Sequence, residues 1–199
     1  MRSSTPLTAA VAAEAEHTTH INVVDAERNA VTCTHTGAWG DVHPPGTGVY
    51  FTHGMAWFTP LPGHANSIAP WKRPMNNMCP LMVLEGGRPV LLQGAPGARR
   101  IIHRGVQVLL NQLLHGMGPQ NAVAAPTVDG SGQETLVDDR LPVGVLDELR
   151  SYGHALRPVQ EEPGGRGHFS RPSAVRIDYD AGVVRAGVDV FRPAVALGY

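Results

Sequence analysis

The sequence carries little charge, and that charge is balanced. Asp, Glu, Lys and Arg together make up 17% of the 199 residues, and the formal net charge is −1. Proteins that bind nucleic acid or anionic membranes through charge carry a basic patch or stripe. The sequence also lacks any apolar run that approaches the roughly 20 residues of a transmembrane helix. We therefore expect neither a nucleic-acid nor a membrane partner.

Cysteine is scarce as well, since the chain contains only Cys33 and Cys79. Two interpretations stay open, a disulfide between these cysteines or two buried free thiols. We favour the buried thiols because both cysteines have apolar neighbours. Histidine occurs ten times, but the histidines are scattered over predicted loops, without an H-E-x-x-H or C-x-x-C motif. We therefore expect no metal ion and no cofactor.

Glycine and proline are abundant, with 23 and 17 residues, which is typical of many turns and loops rather than of a helical bundle. Helices are predicted from Arg99 to Leu114 and from about Val143 to Tyr152. Strands are predicted at 80–84, 89–93, 173–179 and 183–187. The order of hairpin, long loop, ββα, α and ββ predicts an α+β fold with a mainly antiparallel sheet.

The first predicted helix has an apolar stripe at helical spacing. Its members are Ile102, Val106, Leu109 and Leu113. The stripe predicts the helix that follows the glycine-rich turn GAPGA.

The first 17 residues, MRSSTPLTAAVAAEAEH, have a superficial likeness to an export signal. Their apolar segment is short and consists of Ala and Val, and Glu14 and Glu16 follow it closely. We therefore expect a short helical or disordered leader rather than a functional signal.

Residues 18–36 predict a β-hairpin. The runs at 21–24 and 30–36 suit strands, and DAERN between them has turn chemistry. A turn centred on Glu27 places Thr18 opposite Thr36, with facing Cβ atoms about 4.5–5.5 Å apart. A slip by one residue stays open, because the sequence does not determine the turn type. In the second strand, alternation places Thr32, Thr34 and Thr36 on one face and Val31, Cys33 and His35 on the other.

A threonine hydroxyl is a weak nucleophile unless a base removes its proton. A threonine at the start of a chain carries that base itself, because its free α-amine titrates near about 7.7–8.0. Thr18 has an amide nitrogen instead, so this chemistry requires a cut between His17 and Thr18. On composition alone, Thr18 and Thr19 are ordinary residues at the start of a strand.

The stretch TTHINVVDAERNAVTCTHT closely resembles the opening of the small subunit of γ-glutamyltranspeptidases, or glutathione hydrolases. The resemblance continues through SIAPWKRPMNNMCP, LLQGAPGARRII and the closing LGY, and so spans nearly all of residues 18–199. It implies an N-terminal-nucleophile hydrolase, an αββα sandwich to which the large subunit of the same precursor contributes about half. Residues 18–199 are then the small, catalytic subunit, and residues 1–17 are a leader or a remnant of the large-subunit end.

The resemblance also implies roles for individual residues. Thr18 is implied as the nucleophile that self-cleavage exposes, and Thr36 as the neighbour whose hydroxyl bonds to it. The GAPGA turn matches the family's oxyanion loop, in which Gly97 and Ala98 supply backbone N–H groups. Such groups at a helix N-terminus suit developing negative charge. His20 is implied as a residue that orders the site.

Several substrate-binding positions depart from the family pattern. Ala38 stands where the family has an asparagine, and Ala56 and Trp57 replace an acidic pair that includes the carboxylate for the substrate's ammonium group. Asn76 and Asn77 replace two serines, although their amide N–H groups still suit a carboxylate. The implied machinery is thus retained, while the recognition of a γ-glutamyl group is altered.

The three tryptophans fall in the long loop, and two interpretations of them stay open. Trp39, Trp57 and Trp71 are expected to pack in the core, or alternatively to form walls of an apolar acyl pocket.

The expected activity is amide hydrolysis or acyl transfer through an acyl-threonine intermediate. The substrate is a small amide, glutathione-like or a related acyl amide, and water or an acceptor amine resolves the ester. The expected partner is the large subunit of the same precursor, in a heterodimer. The alternative is an uncleaved, non-catalytic fragment or a pseudoenzyme that lacks its large subunit.

Overall fold

The structure of the protein is a computed structural model that describes residues 18–36, 44–49, 53–163 and 167–199. The predictions for residues 1–17, Ala38 and Trp39 lie outside these ranges. Within them, the helices are α1 (Ile101–Leu113), α2 (Pro119–Ala124) and α3 (Val143–Ser151). The strands are β1 (Thr18–Val24), β2 (Ala30–Thr36), β3 (Leu81–Glu85), β4 (Arg88–Gly94), β5 (Val128–Asp129), β6 (Thr135–Asp138), β7 (Leu156–Val159), β8 (Ser173–Asp178) and β9 (Val183–Val188).

Strands β1 and β2 form the predicted hairpin in the predicted register. Thr18 pairs with Thr36 at its open end. At the turn, the Asp25 carboxylate accepts hydrogen bonds from the backbone N–H of Asn29 at 2.7 Å and from its side-chain amide at 2.8 Å. Arg28 has a positive φ of 68°, so the turn bends tightly. These contacts define one turn geometry, and the slip by one residue does not occur.

The central sheet has four antiparallel strands in the order β3-β4-β8-β9. This confirms the predicted ββ pairs at 80–93 and 173–187. Helices α1 and α2 cover the sheet through a small apolar core. The core consists of Val108, Ala122, Val123 and Ala174, with Met117 packed against it.

A second, three-stranded sheet was not predicted. Strand β6 pairs antiparallel with β5 and parallel with β7, and α3 connects the two parallel strands. Helix α2 was also missed. These elements are short, and segments of two to six residues carry too little periodicity to reveal their type. The prediction of a mainly antiparallel sheet is nevertheless confirmed.

Helix α1 forms where its apolar stripe predicted it, but most of that stripe does not face the sheet. Ile102, Val106 and Leu113 are exposed by 45%, 46% and 49%. The buried face contains two polar residues, and both have partners. Arg104 donates to the carbonyls of Val123 and Ala125, and Gln112 donates to Gln93. The residues of this buried face are Ile101, Arg104, Val108 and Gln112.

The hairpin likewise exposes apolar side chains, because its polar face is the one turned inward. Ile21, Val23 and Val31 are 55%, 52% and 58% exposed on the outer face. Cys33 lies on that face and is exposed, whereas Cys79 is half-buried. Both thiols are free, but the prediction that both are buried is wrong.

These exposed apolar faces predict that the isolated 199 residues self-associate, since contiguous apolar patches drive association. We expect light scattering to show oligomers or aggregates. Replacing two exposed stripe residues of α1, with Val106→Lys and Leu113→Glu, is expected to reduce them.

The matched control is Val143→Lys, which charges a valine that is 71% exposed at the start of α3. It lies outside both patches and is expected to leave association unchanged. A monodisperse monomer that melts cooperatively in the unmodified chain would contradict this prediction.

Candidate active site

The two predicted threonines meet at the open end of the hairpin. The Oγ1 atoms of Thr18 and Thr36 lie 2.7 Å apart, the usual length of a hydrogen bond between hydroxyl groups. Both residues are half-buried, whereas Thr19 points to solvent. Alternation along β1 thus singles out Thr18 from its neighbour. The predicted juxtaposition is confirmed, and the catalytic roles of the two residues stay predictions.

Both ring nitrogens of His20 are held by polar groups of the hairpin. Nδ1 lies 2.8 Å from Thr34 Oγ1, and Nε2 lies 3.0 Å from Asn22 Oδ1. Burial lowers the pKa of His20 from 6.5 and outweighs the hydrogen bond to Asn22, which raises it. The ring is therefore expected to be neutral near pH 7.

The inner face of the hairpin is attached to the central sheet beside this histidine. Asn22 Nδ2 donates to the carbonyl and the hydroxyl of Ser173, at 3.3 and 3.1 Å. Thr32 Oγ1 donates to the carbonyl of Gln93 at 3.3 Å. A Cβ atom on Gly94 would lie only 2.2 Å from Cε1 of His20. Glycine at this position therefore lets the ring lie directly against β4.

The sequence-based predictions assign no role beside His20 to two members of this arrangement, Asn22 and Gly94. The signal for Asn22 was available, because alternation places it on the same face as Thr18 and His20. No sequence signal identifies Gly94, since its neighbour comes from a distant strand.

The predicted oxyanion loop follows β4 directly. Gly97 has a φ of 141° and Ala98 a φ of 50°, so both lie in the region that favours glycine. The loop leads into a 3-10 helix (Ala98–Arg100) and then into α1. Because Gly97 follows Gly94 by three residues, about 10 Å at full extension, the loop lies near His20. Its N–H groups thus precede a helix close to the hairpin, as the prediction requires.

The predicted substrate-binding residues come from two segments that Asn66 joins. Its Nδ2 donates to the Trp57 carbonyl at 2.7 Å, and its Oδ1 accepts from the Met75 N–H at 2.8 Å. Asn76 is exposed, whereas Asn77 is 8% exposed and its Nδ2 has no hydrogen-bond partner among the described residues. In the described part of the chain, no hydrogen bond links Trp57, Asn76 or Asn77 to Thr18.

The tryptophans differ in their surroundings. Trp57 is half-buried at the end of a 3-10 helix (His53–Trp57), so either of its two interpretations still stands. Trp71 is fully exposed, with a φ of 62°. Core packing is therefore wrong for Trp71, because it lies on an irregular loop that turns its ring to solvent.

The described residues contain neither a metal-binding cluster nor a membrane-spanning helix. No group of three or more His, Cys, Asp or Glu side chains is arranged to hold a metal ion there. No helix there has the length and apolar character to cross a membrane.

Comparison with known proteins gives consistent matches. The profile of the family described as Gamma-glutamyltranspeptidase matches residues 2–199. The chain is 39% identical to the Acylase ACY 1 proenzyme of Pseudomonas sp. (strain SE83) over 76% of its own length and 28% of the relative's. It is 29% identical to the Glutathione hydrolase proenzyme of Bacillus subtilis (strain 168) over 91% of its own length and 30% of the relative's.

A solved structure of Gamma-glutamyltranspeptidase from Pseudomonas nitroreducens, complexed with L-DON, has the same fold. It superposes with a TM-score of 0.73 at 28% identity, covering 91% of this chain and 99% of that one. The predicted α+β fold of the N-terminal-nucleophile hydrolases is thus confirmed. The chain spans less than a third of the two curated proenzymes.

The lowered pKa of His20 predicts how the site responds to acid. Because the folded pKa lies below the unfolded value of 6.5, the unfolded chain binds a proton more readily. The neutral His20 side chain therefore contributes to the free energy of unfolding above the unfolded pKa. That contribution is lost as the pH falls toward the folded pKa. We expect the imidazole proton resonance of His20 to titrate with a midpoint below 6.5. The His20 resonance is assigned by its absence from the spectrum of the His20→Gln variant. A titration midpoint at or above the unfolded pKa would contradict the prediction.

Proposed function

Because the chain belongs to the γ-glutamyltranspeptidase family, we propose that it is the small, catalytic part of a proenzyme. The proenzyme cuts itself before Thr18 and then acts as a threonine-nucleophile amide hydrolase or acyltransferase. The observation that carries this proposal is the 2.7 Å approach of Thr18 Oγ1 to Thr36 Oγ1 at the first position of β1. Residues 1–17 are then the leader or the remnant that precedes the cut.

The cut changes the chemistry of Thr18, because it replaces an amide nitrogen by a free α-amine. The amine takes the proton from Oγ1 while Oγ1 attacks the carbonyl carbon of the substrate amide. Thr36 donates to or accepts from Oγ1 and holds it in place. The N–H groups of Gly97 and Ala98 stabilise the oxyanion that forms on the carbonyl oxygen.

The tetrahedral intermediate then collapses to an ester on Thr18. The C–N bond of the substrate amide breaks, and the departing substrate amine takes a proton from the α-ammonium group of Thr18. Water, or an acceptor amine, attacks the ester carbon and gives its proton to the α-amine. The ester C–O bond breaks, Oγ1 regains a proton, and the acid or the new amide leaves.

We assign the substrate to acyl amides that lack a free α-amino group. Ala56 and Trp57 supply no carboxylate for an ammonium group, and Trp57 makes its surroundings more apolar. Asn77 offers a buried amide donor, Nδ2, without a partner among the described residues, which suits a carboxylate or carbonyl oxygen of the acyl group. The 39% identity to an acylase proenzyme supports this assignment.

The proposed partner is the large subunit of the same proenzyme. The curated relatives are proenzymes more than three times as long as the region matched. The exposed apolar stripe of α1 and the outer face of the hairpin are surfaces of the kind that an obligate partner covers. A heterodimer accounts for both observations.

The identity of the nucleophile is tested by substitution at Thr18 in the chain co-expressed with its large subunit. Thr18→Ala is expected to abolish both cleavage and turnover, because no hydroxyl remains. Thr18→Ser is expected to retain part of each. Mass spectrometry gives the new N-terminus, and hydrolysis of an acyl anilide gives the turnover.

Thr19→Ala is the matched control, since this neighbouring threonine points to solvent and is expected to leave both measurements unchanged. Full activity of Thr18→Ala would end the proposal. A wild-type chain that stays uncut and inactive with its large subunit would instead support the non-catalytic alternative.

The substrate assignment is tested with a γ-glutamyl anilide and its des-amino analogue, a glutaryl anilide. Leaving one member of a buried charge pair without its partner costs roughly 2–5 kcal/mol. This is about thirty-fold to several-thousand-fold in kcat/KM. We therefore expect poor turnover of the γ-glutamyl compound and of glutathione, and equal or better turnover of the glutaryl compound.

Trp57→Asp places a carboxylate at the position of the missing one and is expected to shift the preference toward the γ-glutamyl anilide. Asparagine has nearly the same shape as aspartate but no charge. Trp57→Asn therefore separates the effect of the charge from the effect of losing the indole ring. A large γ-glutamyl preference in the unmodified enzyme would show that another group binds the ammonium.

A further inference from the structure

Residues 169–173 lie between the Gly97–Ala98 loop and the Thr18 hairpin, and the proposed chemistry does not use them. We propose that this bridging segment, residues 169–173, sets the position of the loop relative to the hairpin, with Ser170 as the positioning residue. This inference rests on the proposed function, because only there does the loop act on an oxyanion.

One end of the bridging segment lies against the loop. A Cβ atom on Gly97 would lie 2.2 Å from Cβ and 2.5 Å from Cα of Ser170, distances that no real side chain tolerates. The N–H of Arg171 donates to the carbonyl of Pro96 at 3.0 Å. The residue before Gly97 is thus tied to the segment, and Gly97 itself rests on Ser170.

The other end is attached to the hairpin. Ser173 begins β8 and pairs with Gly94, against which the His20 ring lies. Its carbonyl and hydroxyl both accept hydrogen bonds from Asn22 Nδ2. Ser173 follows Ser170 by only three positions, a span of about 10 Å at most. The segment therefore limits the distance between the loop and the face that carries Thr18.

The bridging segment is well held. Ser170 is 2% exposed, Phe169 is 8% exposed, and Pro172 is fully buried. The Glu161 carboxylate accepts hydrogen bonds from the N–H groups of His168 and Phe169. Proline also restricts its own φ. A segment anchored in this way transmits a change of volume at Ser170 to the loop instead of absorbing it.

The size of Ser170 matters here more than its hydroxyl. Its Oγ is buried and has no hydrogen-bond partner among the described residues. Removing the hydroxyl therefore breaks no bond seen in the structure. The Cβ atom of Ser170 is the side-chain atom nearest to Gly97, so added bulk on it is expected to push against Gly97, which has no side chain that could turn away.

The test measures kcat and KM of the cleaved, assembled enzyme with one acyl anilide. Ser170→Val adds bulk against Gly97 and is expected to lower kcat by about 100- to 1,000-fold, as loss of an oxyanion donor does, with KM nearly unchanged. Ser170→Ala adds no bulk and is expected to keep most of kcat. The matched control is Ala122→Val, which adds bulk to a core residue of α2 and shows what a general loss of packing does to kcat.

Hydrogen exchange at residues 95–98, read by mass spectrometry, gives a measurement that needs no turnover. It is expected to be faster in Ser170→Val and unchanged in Ser170→Ala and Ala122→Val. If Ser170→Val does not fold, Ser170→Thr, which adds one methyl group, takes its place.

Bulky variants with wild-type kcat and wild-type exchange would overturn the proposal. So would an equal loss of kcat in Ala122→Val, because the effect would then be one of packing in general. A wild-type enzyme without turnover of any acyl amide would overturn the proposed function instead, and exchange alone would then decide whether Ser170 positions the loop.

Discussion

The cross-strand register of the β1–β2 hairpin is the constraint on which the site depends. A slip by one residue would turn every side chain of a strand to the opposite face. Thr18, His20 and Asn22 would then leave the sheet and point to solvent. The carboxylate of Asp25, bonded twice to Asn29, fixes the turn. A local contact at one end of the hairpin thereby determines which hydroxyl groups meet at the other end.

The hairpin turns its polar face toward the rest of the protein and its apolar face outward, the reverse of the usual arrangement. Buried polar groups are costly unless they are hydrogen-bonded, and here His20 and Asn22 are bonded to the hairpin and to β8. The apolar side chains of β1 and β2 are displaced to the outer face. Helix α1 shows the same pattern, with Arg104 and Gln112 buried and its apolar stripe mostly exposed. The surface left uncovered is the one that the proposed large subunit would cover.

Two glycines allow the parts of the site to approach one another. Gly94 admits the ring of His20, and Gly97 admits the backbone of Ser170, at distances that a Cβ atom would forbid. Each contact joins segments far apart in sequence, so a small change at either glycine alters the relation between the hairpin and the loop. Protein interiors transmit such changes because they are closely packed.

The sequence by itself determined the elements whose signals are local. Alternation and turn residues predicted the hairpin and the pairing of Thr18 with Thr36, and the apolar stripe together with GAPGA predicted α1 and the loop before it. The resemblance of dispersed motifs predicted the family. Only the tertiary structure decided that the stripe of α1 faces outward, that Cys33 and Trp71 are exposed, and that Ser170 supports Gly97. The physical reason is that periodicity shows that a segment has two faces, whereas the neighbours that pack against it, from distant parts of the chain, decide which face is buried.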